Sequence, residues 1–214
     1  FIKSLLNYSL VDTAGNSLYE IYKRNDVKSI EGIIINATKW DINSLIIPYL
    51  LKERATEIME AVNIIKSIFV NASIFFVFNK EHRQNCVSLD PLKESSKLIF
   101  IDKAYKNNMH KYIIKDVMGN VSEDKIIVDE LQSLINIFTA IVKQEPVLEE
   151  VISITDSNMN TCNYKVRIGT KISQLYEAAL IESEKVQKIT RNGIISGQAL
   201  LNDQIPVTQG TESL

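Results

Sequence analysis

The chain has 214 residues, 45% hydrophobic and 23% charged, with 24 basic and 26 acidic side chains and a formal net charge of -2. This composition excludes a chain that is mostly disordered or fibrous, and it supplies enough apolar residues for one or two domains with a core. The near-neutral balance excludes the global basic field behind tight nonspecific nucleic-acid binding, and leaves room only for a local basic patch.

Phe1 to Asn7 predicts a helical lead-in, and Tyr8 to Val11 a short buried strand closed by the turn Asp12-Thr13-Ala14-Gly15. Ser17 to Asn25 places Leu18, Ile21 and Tyr22 on one helical face, which suits a short crossover helix. Gly32 to Asn36, "GIIIN", is a β-branched run fit for a central parallel strand. The following "ATKWDINSL" is a loop offering Asp41, Asn43 and Ser44 as helix caps. From Ile46 to Ile68 the spacing predicts one long helix. Pro48 fits its first turn, and Leu51, Ala55, Ile58, Val62 and Ile65 recur at three- and four-residue steps.

Ser73 to Phe78, "SIFFVF", predicts a second buried strand running into Asn79-Lys80, and Leu98 to Ile101 a third. Asp90-Pro91 between them marks a loop with a short helix. Met109 to Val117 and Lys125 to Lys143 read as helices, the second amphipathic through Ile127, Leu131, Leu134, Ile135, Phe138 and Ile141. Strands alternating with helices in this way predict an α/β fold, a mostly parallel sheet with flanking helices, over residues 1–145. Pro146 opens a less regular carboxyl-terminal extension, residues 146–214. Within it, Val151 to Ile154 and Tyr164 to Ile168 suit a β pair across "TDSNMNTCN", and Ser173 to Arg191 one charged amphipathic helix. That helix carries Ile172, Leu175, Ala179, Glu182, Val186 and Ile189 as a stripe that must dock on this domain or on another copy. Gly193 to Leu214 reads as a partly disordered tail.

Cys86 and Cys162 have neither the spacing of a zinc site nor the density of a disulfide scaffold, which points to two unpaired thiols in a reducing cytoplasm. The apolar stretch Ile64 to Phe78 is broken by Lys66, Ser67, Asn71 and Ser73 and is too short for a membrane span. His82 and His110 have no partner at metal-ligand spacing, and no nucleophile elbow supports acyl transfer. "RIGTKIS", Arg167 to Ser173, contains Gly-Thr-Lys without the first glycine and the Gly-Lys adjacency of a phosphate loop, and reads as a strand-to-helix turn. Glu149-Glu150 and the pair Asp124 and Asp129 read as solvated helix faces and caps. Lys103, Lys106, Lys111 and Lys115, interleaved with Tyr105, His110 and Tyr112, form the densest basic and aromatic cluster. It reads either as a contact for DNA phosphates or an acidic partner, or as a solvated helix face.

The order "LVDTAGN", "GIIINATKWDINSL", a long helix, "IFFVFNKEH" and "KLIFIDKAY" resembles the ParA/MinD-like branch of P-loop ATPases over about residues 8–115. Asp12, Gly15, Asp41, Ser44, Leu45, Asn79 and Lys80 fall at matching places, whereas Thr38-Lys39-Trp40 stands where that family commonly has a proline before the aspartate. The resemblance implies ATP and Mg²⁺, with Asp12 as the catalytic acid on the metal, directly or through water, and Gly15, Asp41, Asn79 and Lys80 around the nucleotide. The same residues also read as an ordinary Asp-Thr-Ala-Gly turn and a polar strand end. The family's phosphate loop would stand upstream of Phe1, a first residue that suits a processed product, a fragment or a chain missing its start. The function so implied is a nucleotide-dependent dimerising switch in partition, positioning or plasmid maintenance: a homo-oligomer in the cytoplasm with a protein partner and nonspecific DNA. The alternative is a non-enzymatic interaction or structural protein, viral or plasmid-encoded, assembling through its helices.

Overall fold

Six consecutive buried residues form β1 (Gly32–Ala37), as a β-branched run does when both its faces and both its edges are covered. In the computed structural model, which describes residues 1–23, 26–38, 45–102, 110–194 and 197–214, β1 lies inside a four-stranded sheet. The other strands are β2 (Ser73–Asn79), β3 (Ser96–Ile101) and β4 (Ile126–Glu130), in the order β3-β2-β1-β4, and every neighbouring pair is parallel. The α/β fold with a mostly parallel sheet and flanking helices expected from the sequence is the fold observed.

The chain divides into two units: Phe1–Asp12, Asn16–Trp40 and Ile47–Pro146 make the first, and Thr13–Gly15, Asp41–Ile46 and Val147–Leu214 the second. In the first, α1 (Ile2–Asn7) and α2 (Leu18–Lys23) precede β1, and α3 (Ile46–Glu53) and α4 (Ala55–Ile68) connect it to β2. A run of 3-10 turns, Lys80–Glu94, links β2 to β3, and α5 (His110–Met118) leads from β3 toward β4. Helix α6 (Leu131–Phe138) follows β4 directly and continues as a π-helical turn, Thr139–Lys143. Side chains alternate across the sheet, so Ile34, Phe75, Val77 and Ile126 share a face and pack with Ile113 and Ile114 of α5. Ile33, Ile35, Phe76 and Phe78, at the alternate positions, are equally buried. Helices α4 and α6 pack on each other, and α6 also meets β1.

Three expected elements differ in the structure, the first two through local bonding and the third through pairing with a strand distant in sequence. Tyr8 to Val11 is not a sheet strand: Ser9 takes a left-handed φ of 51°, Leu10 N donates to Leu5 O, and Val11 makes a single bridge with Ser17. The segment therefore satisfies its backbone on α1 and on the start of α2. The helix expected over residues 46–68 is broken at Arg54, whose φ of -125° leaves the helical region while its side chain pairs with Glu57. The helix expected from Lys125 is a strand first: Ile126, Ile127 and Val128 take the open edge of β1, and the helical pattern starts only at Leu131.

The second unit is built on the antiparallel pair β5 (Glu149–Thr155) and β6 (Thr161–Arg167), joined by a turn in which Asp156 Oδ1 accepts the amides of Asn158 and Asn160. Its core is Ile152, Ile154, Val166, Leu175 and Val207. Residues 173–191 do not form one helix but a 3-10 turn (Ile172–Gln174), the four-residue α7 (Leu175–Ala178) and another 3-10 turn (Ser183–Lys185). Leu180, at φ 55° and 92% exposed, ends the helix before the expected stripe can assemble. A two-stranded ribbon, β7 (Thr190–Arg191) and β8 (Gln198–Ala199), follows. The expected disordered tail is instead bonded into the unit: Ser153 N donates to Glu212 O, Leu214 N to Ser153 O, and Thr155 N to Leu214 O. "RIGTKIS" is a turn, with Gly169 at φ 94°.

Candidate functional site

Open parallel sheets bind ligands outside the carboxyl ends of their strands, at the point where the strand order reverses. Here the order runs β3-β2-β1 to one side and then to β4 on the other, so the reversal lies between β1 and β4. Register brings Asn36 opposite Glu130 and Ile35 opposite Asp129 at that place. Asn36 is buried, and its Oδ1 accepts the Thr38 amide at 3.0 Å and the Thr38 hydroxyl at 2.7 Å, fixing the exit of the chain from β1. Asp129 is 2% exposed. The Tyr22 hydroxyl of α2 donates to its Oδ2 at 2.7 Å, and the Glu130 amide donates to its Oδ1 at 2.8 Å.

Burial pushes the Asp129 carboxyl up to about 6, while the bonds from Tyr22, the Glu130 amide and Ser133 pull it back and the Glu130 charge adds to the rise. Burial and the adjoining Asp129 carboxylate hold the Tyr22 phenol well above its ordinary value. Asp129 thus sits in a buried polar cluster where burial and hydrogen bonding act on its charge in opposite directions, an arrangement found in functional sites and in structural networks alike. Gln132, Ser133 and Asn136, all buried on α6, extend the polar cluster from the end of β4.

Beside β4 lies a groove of about 760 Å³, within the size range of ligand pockets, lined by Ile127 and by Asp12, Glu20, Lys23, His110 and Glu123. Asp12 closes the turn after Val11: its Oδ1 accepts the Asn16 amide at 2.7 Å, its Oδ2 the Asn16 side-chain amide at 2.9 Å, and its own amide donates to Asn16 O at 2.9 Å. Gly15 occupies φ 86° in that turn. Asn79 is buried at the end of β2, and the next residue, Lys80, is exposed with Nζ 2.9 Å from Asp102 Oδ2. Lys111 and Lys115 lie on α5, with Lys111 Nζ 5.1 Å from the Tyr112 ring centre. Asp41, Lys103 and Lys106 lie outside the described residues. Cys86 is buried, its thiol pushed up to about 12 by burial and by Asp90, and Cys162 is exposed; both are free. Asp129 and Tyr22, the best-defined pair, were not legible as a site, because Asp129 reads as a helix cap when β4 is taken for helix. The signal available was an acid directly after the β-branched triplet Ile126-Ile127-Val128.

No family model matches the sequence. The chain is similar to the C subunit of ion-translocating oxidoreductase complexes. Against that subunit from Haemophilus influenzae (strain 86-028NP) it is 23% identical over 193 residues, covering 85% of this chain and 29% of the relative. Against the Rhodobacter capsulatus subunit it is 22% identical over 200 residues, covering 82% of this chain and 38% of the relative. The chain thus spans well under half the length of these relatives. In fold it matches a chain of the NAD+-reducing [NiFe]-hydrogenase in the H2-reduced state, with a TM-score of 0.77 at 12% identity, covering 99% of this chain and 45% of that one. The air-oxidized state of that enzyme gives a TM-score of 0.75.

These findings overturn the ParA/MinD resemblance, and with it the partition ATPase, ATP and Mg²⁺; they equally overturn the structural or scaffold alternative. The physical reason is that the resemblance rested on the order of strands and polar strand ends, which many α/β folds share. The strand it needed before Asp12 is absent among the described residues, and both Asp12 oxygens hold Asn16. The relatives are subunits of a complex, which agrees with the expectation of a protein partner. Among the described residues no helix is long and apolar enough to cross a membrane.

Proposed function

We propose that this chain is part of an electron-transfer oxidoreductase subunit acting inside a multi-subunit complex, on the cytoplasmic side, with the redox groups held by other parts of the assembly. The observation that supports this most is the similarity to the C subunit of ion-translocating oxidoreductase complexes across more than four fifths of the chain. The two free thiols suit a reducing compartment.

The side chains present bear on which groups this segment could hold. A Cys₄ iron–sulfur cluster needs four thiolates, and these 214 residues contain two cysteines. Among the described residues no group of three or more His, Cys, Asp and Glu can hold a metal ion. A dinucleotide places its pyrophosphate on a glycine-rich turn at a helix start. The turn before α2 carries Asp12, and the groove beside it is lined by Glu20 and Glu123 together with Lys23 and His110, a mixed-charge lining without a glycine-rich turn among the described residues. The buried Tyr22–Asp129 pair lies on the Ile35 face of the sheet and Asn36 on the other; in this reading the pair ties α2 to the end of β4 and Asn36 fixes the exit from β1, holding the carboxyl edge of the sheet in shape. The Lys111 and Lys115 face of α5 is assigned to a protein partner.

The test is affinity isolation, in mild detergent, of the intact protein that carries this segment, with identification of co-eluting chains and an NADH-to-ferricyanide assay on the eluate. Redox subunits and NADH-driven ferricyanide reduction in the same fraction are expected. Elution as a single chain without redox-active partners would sink the reading. Calorimetry with ATP and Mg²⁺ should give no binding heat.

A further inference from the structure

We propose that the outer edge of β3 is a docking site for an extended acidic segment of a partner protein, which joins the sheet as a further strand. Among the described residues β3 has a strand neighbour on one side only, β2. It is also the least protected strand of the sheet: Lys97 is exposed and Leu98 to Ile101 are half-buried, whereas every residue of β1 is buried. An edge with open backbone donors and acceptors is a template for strand addition unless something blunts it. Here the edge is accompanied by a groove of about 610 Å³ between β3 and the 3-10 run.

The groove selects for charge. Its lining holds Arg83, Lys93 and Lys97 against a single acid, Asp90, and Lys93 Nζ already lies 2.7 Å from Asp90 Oδ1. The remaining two cations are seated on aromatic faces: the Arg83 guanidinium lies 4.6 Å from the Phe100 ring centre, and Lys97 Nζ lies 5.6 Å from that of Phe75. Each ring fixes its cation beside the edge while leaving its charge unneutralised. Register puts Lys97 on the Phe75 face of the sheet and half-buried Leu98 and Phe100, with Arg83, on the opposite face. An incoming strand with acids at two successive positions presents one to each face of the sheet, and so meets Arg83 on one side and Lys97 on the other while its backbone pairs with the edge. This inference is independent of the electron-transfer reading and stands or fails on binding alone.

The probe is a fluorescein-labelled peptide of the length of β3 with two adjacent glutamates flanked by valines, followed by anisotropy, with the same peptide carrying lysines in place of the glutamates as comparison. Saturable binding is expected for the acidic peptide only, weakened about tenfold in R83E/K97E and unchanged in Lys3→Glu on α1. Hydrogen exchange on the unaltered protein should show amides 97–101 slowed by the acidic peptide, a readout that survives even if the double variant folds poorly. Equal binding of the two peptides, or binding without protection of 97–101, would overturn the proposal. So would self-association of the protein abolished by K97E, which would assign the edge to a second copy.

Discussion

Replacing Tyr22 with phenylalanine removes one hydroxyl and leaves the ring in its contacts with Phe1 and Phe69, whose centres lie 5.3 and 5.8 Å away. The atom that loses its partner is Asp129 Oδ2, buried, at 2.7 Å. Because the folded value of Asp129 is about 6 against an ordinary 3.8, the native state binds this proton more tightly than the unfolded chain does. The associated stability is fully present below about pH 3.8, is lost as pH rises to about 6 and is constant above, a total of ~3 kcal/mol. Tyr22→Phe removes a bond that favours the charged form, so the folded value rises further and the loss extends to higher pH. At pH 8 the ionised carboxylate is left without its donor, at a cost of about 2–3 kcal/mol; at pH 5, where the group is mostly protonated, the cost is about 1 kcal/mol. Urea unfolding followed by circular dichroism at the two pH values measures both. An equal loss at pH 5 and pH 8 would refute the coupling of Tyr22 to the charge of Asp129.

Phe76→Ala empties a fully buried position in β2 and should cost about 3–5 kcal/mol in chemical denaturation. A disulfide reagent should titrate Cys162 promptly and reach Cys86 only on unfolding; prompt reaction of both would place Cys86 at the surface. Two glycine substitutions should separate sharply. A Cβ at Gly197 would overlap the carbonyl oxygens of Arg191 and Gly193, so Gly197→Ala should open the β7–β8 ribbon, seen as faster exchange of its amides. At Gly32 the obstacle is the flexible end of Met118, 2.7 Å away, so Gly32→Ala should cost only about 1 kcal/mol.

The strands buried on both faces were legible because their composition is local: "GIIIN" and "SIFFVF" admit few readings other than interior strands. The β5–β6 pair was legible for a related reason, two apolar runs flanking a polar turn. Strand β4 was not. Ile127, Leu131 and Leu134 fit a helical period as well as Ile126, Ile127 and Val128 fit a strand, and only the open edge of β1, far away in sequence, decides between them. The ordering of the tail has the same character, since its partner is β5. The candidate site follows the strands: Asn79 and Lys80 were placed correctly at a strand end, whereas Tyr22 and Asp129 become a pair only when β4 exists.

The position of β1 governs how this protein must be made. Gly32 pairs with Ser73 of β2, but its other neighbour, Ile126 of β4, emerges from the ribosome about ninety residues later, a separation that slows folding. Until β2 appears both edges of this apolar strand are open, and until β4 appears one still is, the kind of surface that captures other chains. Synthesis of this protein is therefore exposed to aggregation between the appearance of β1 and that of β4, and its yield should depend on chaperone supply and on translation speed across residues 38–125.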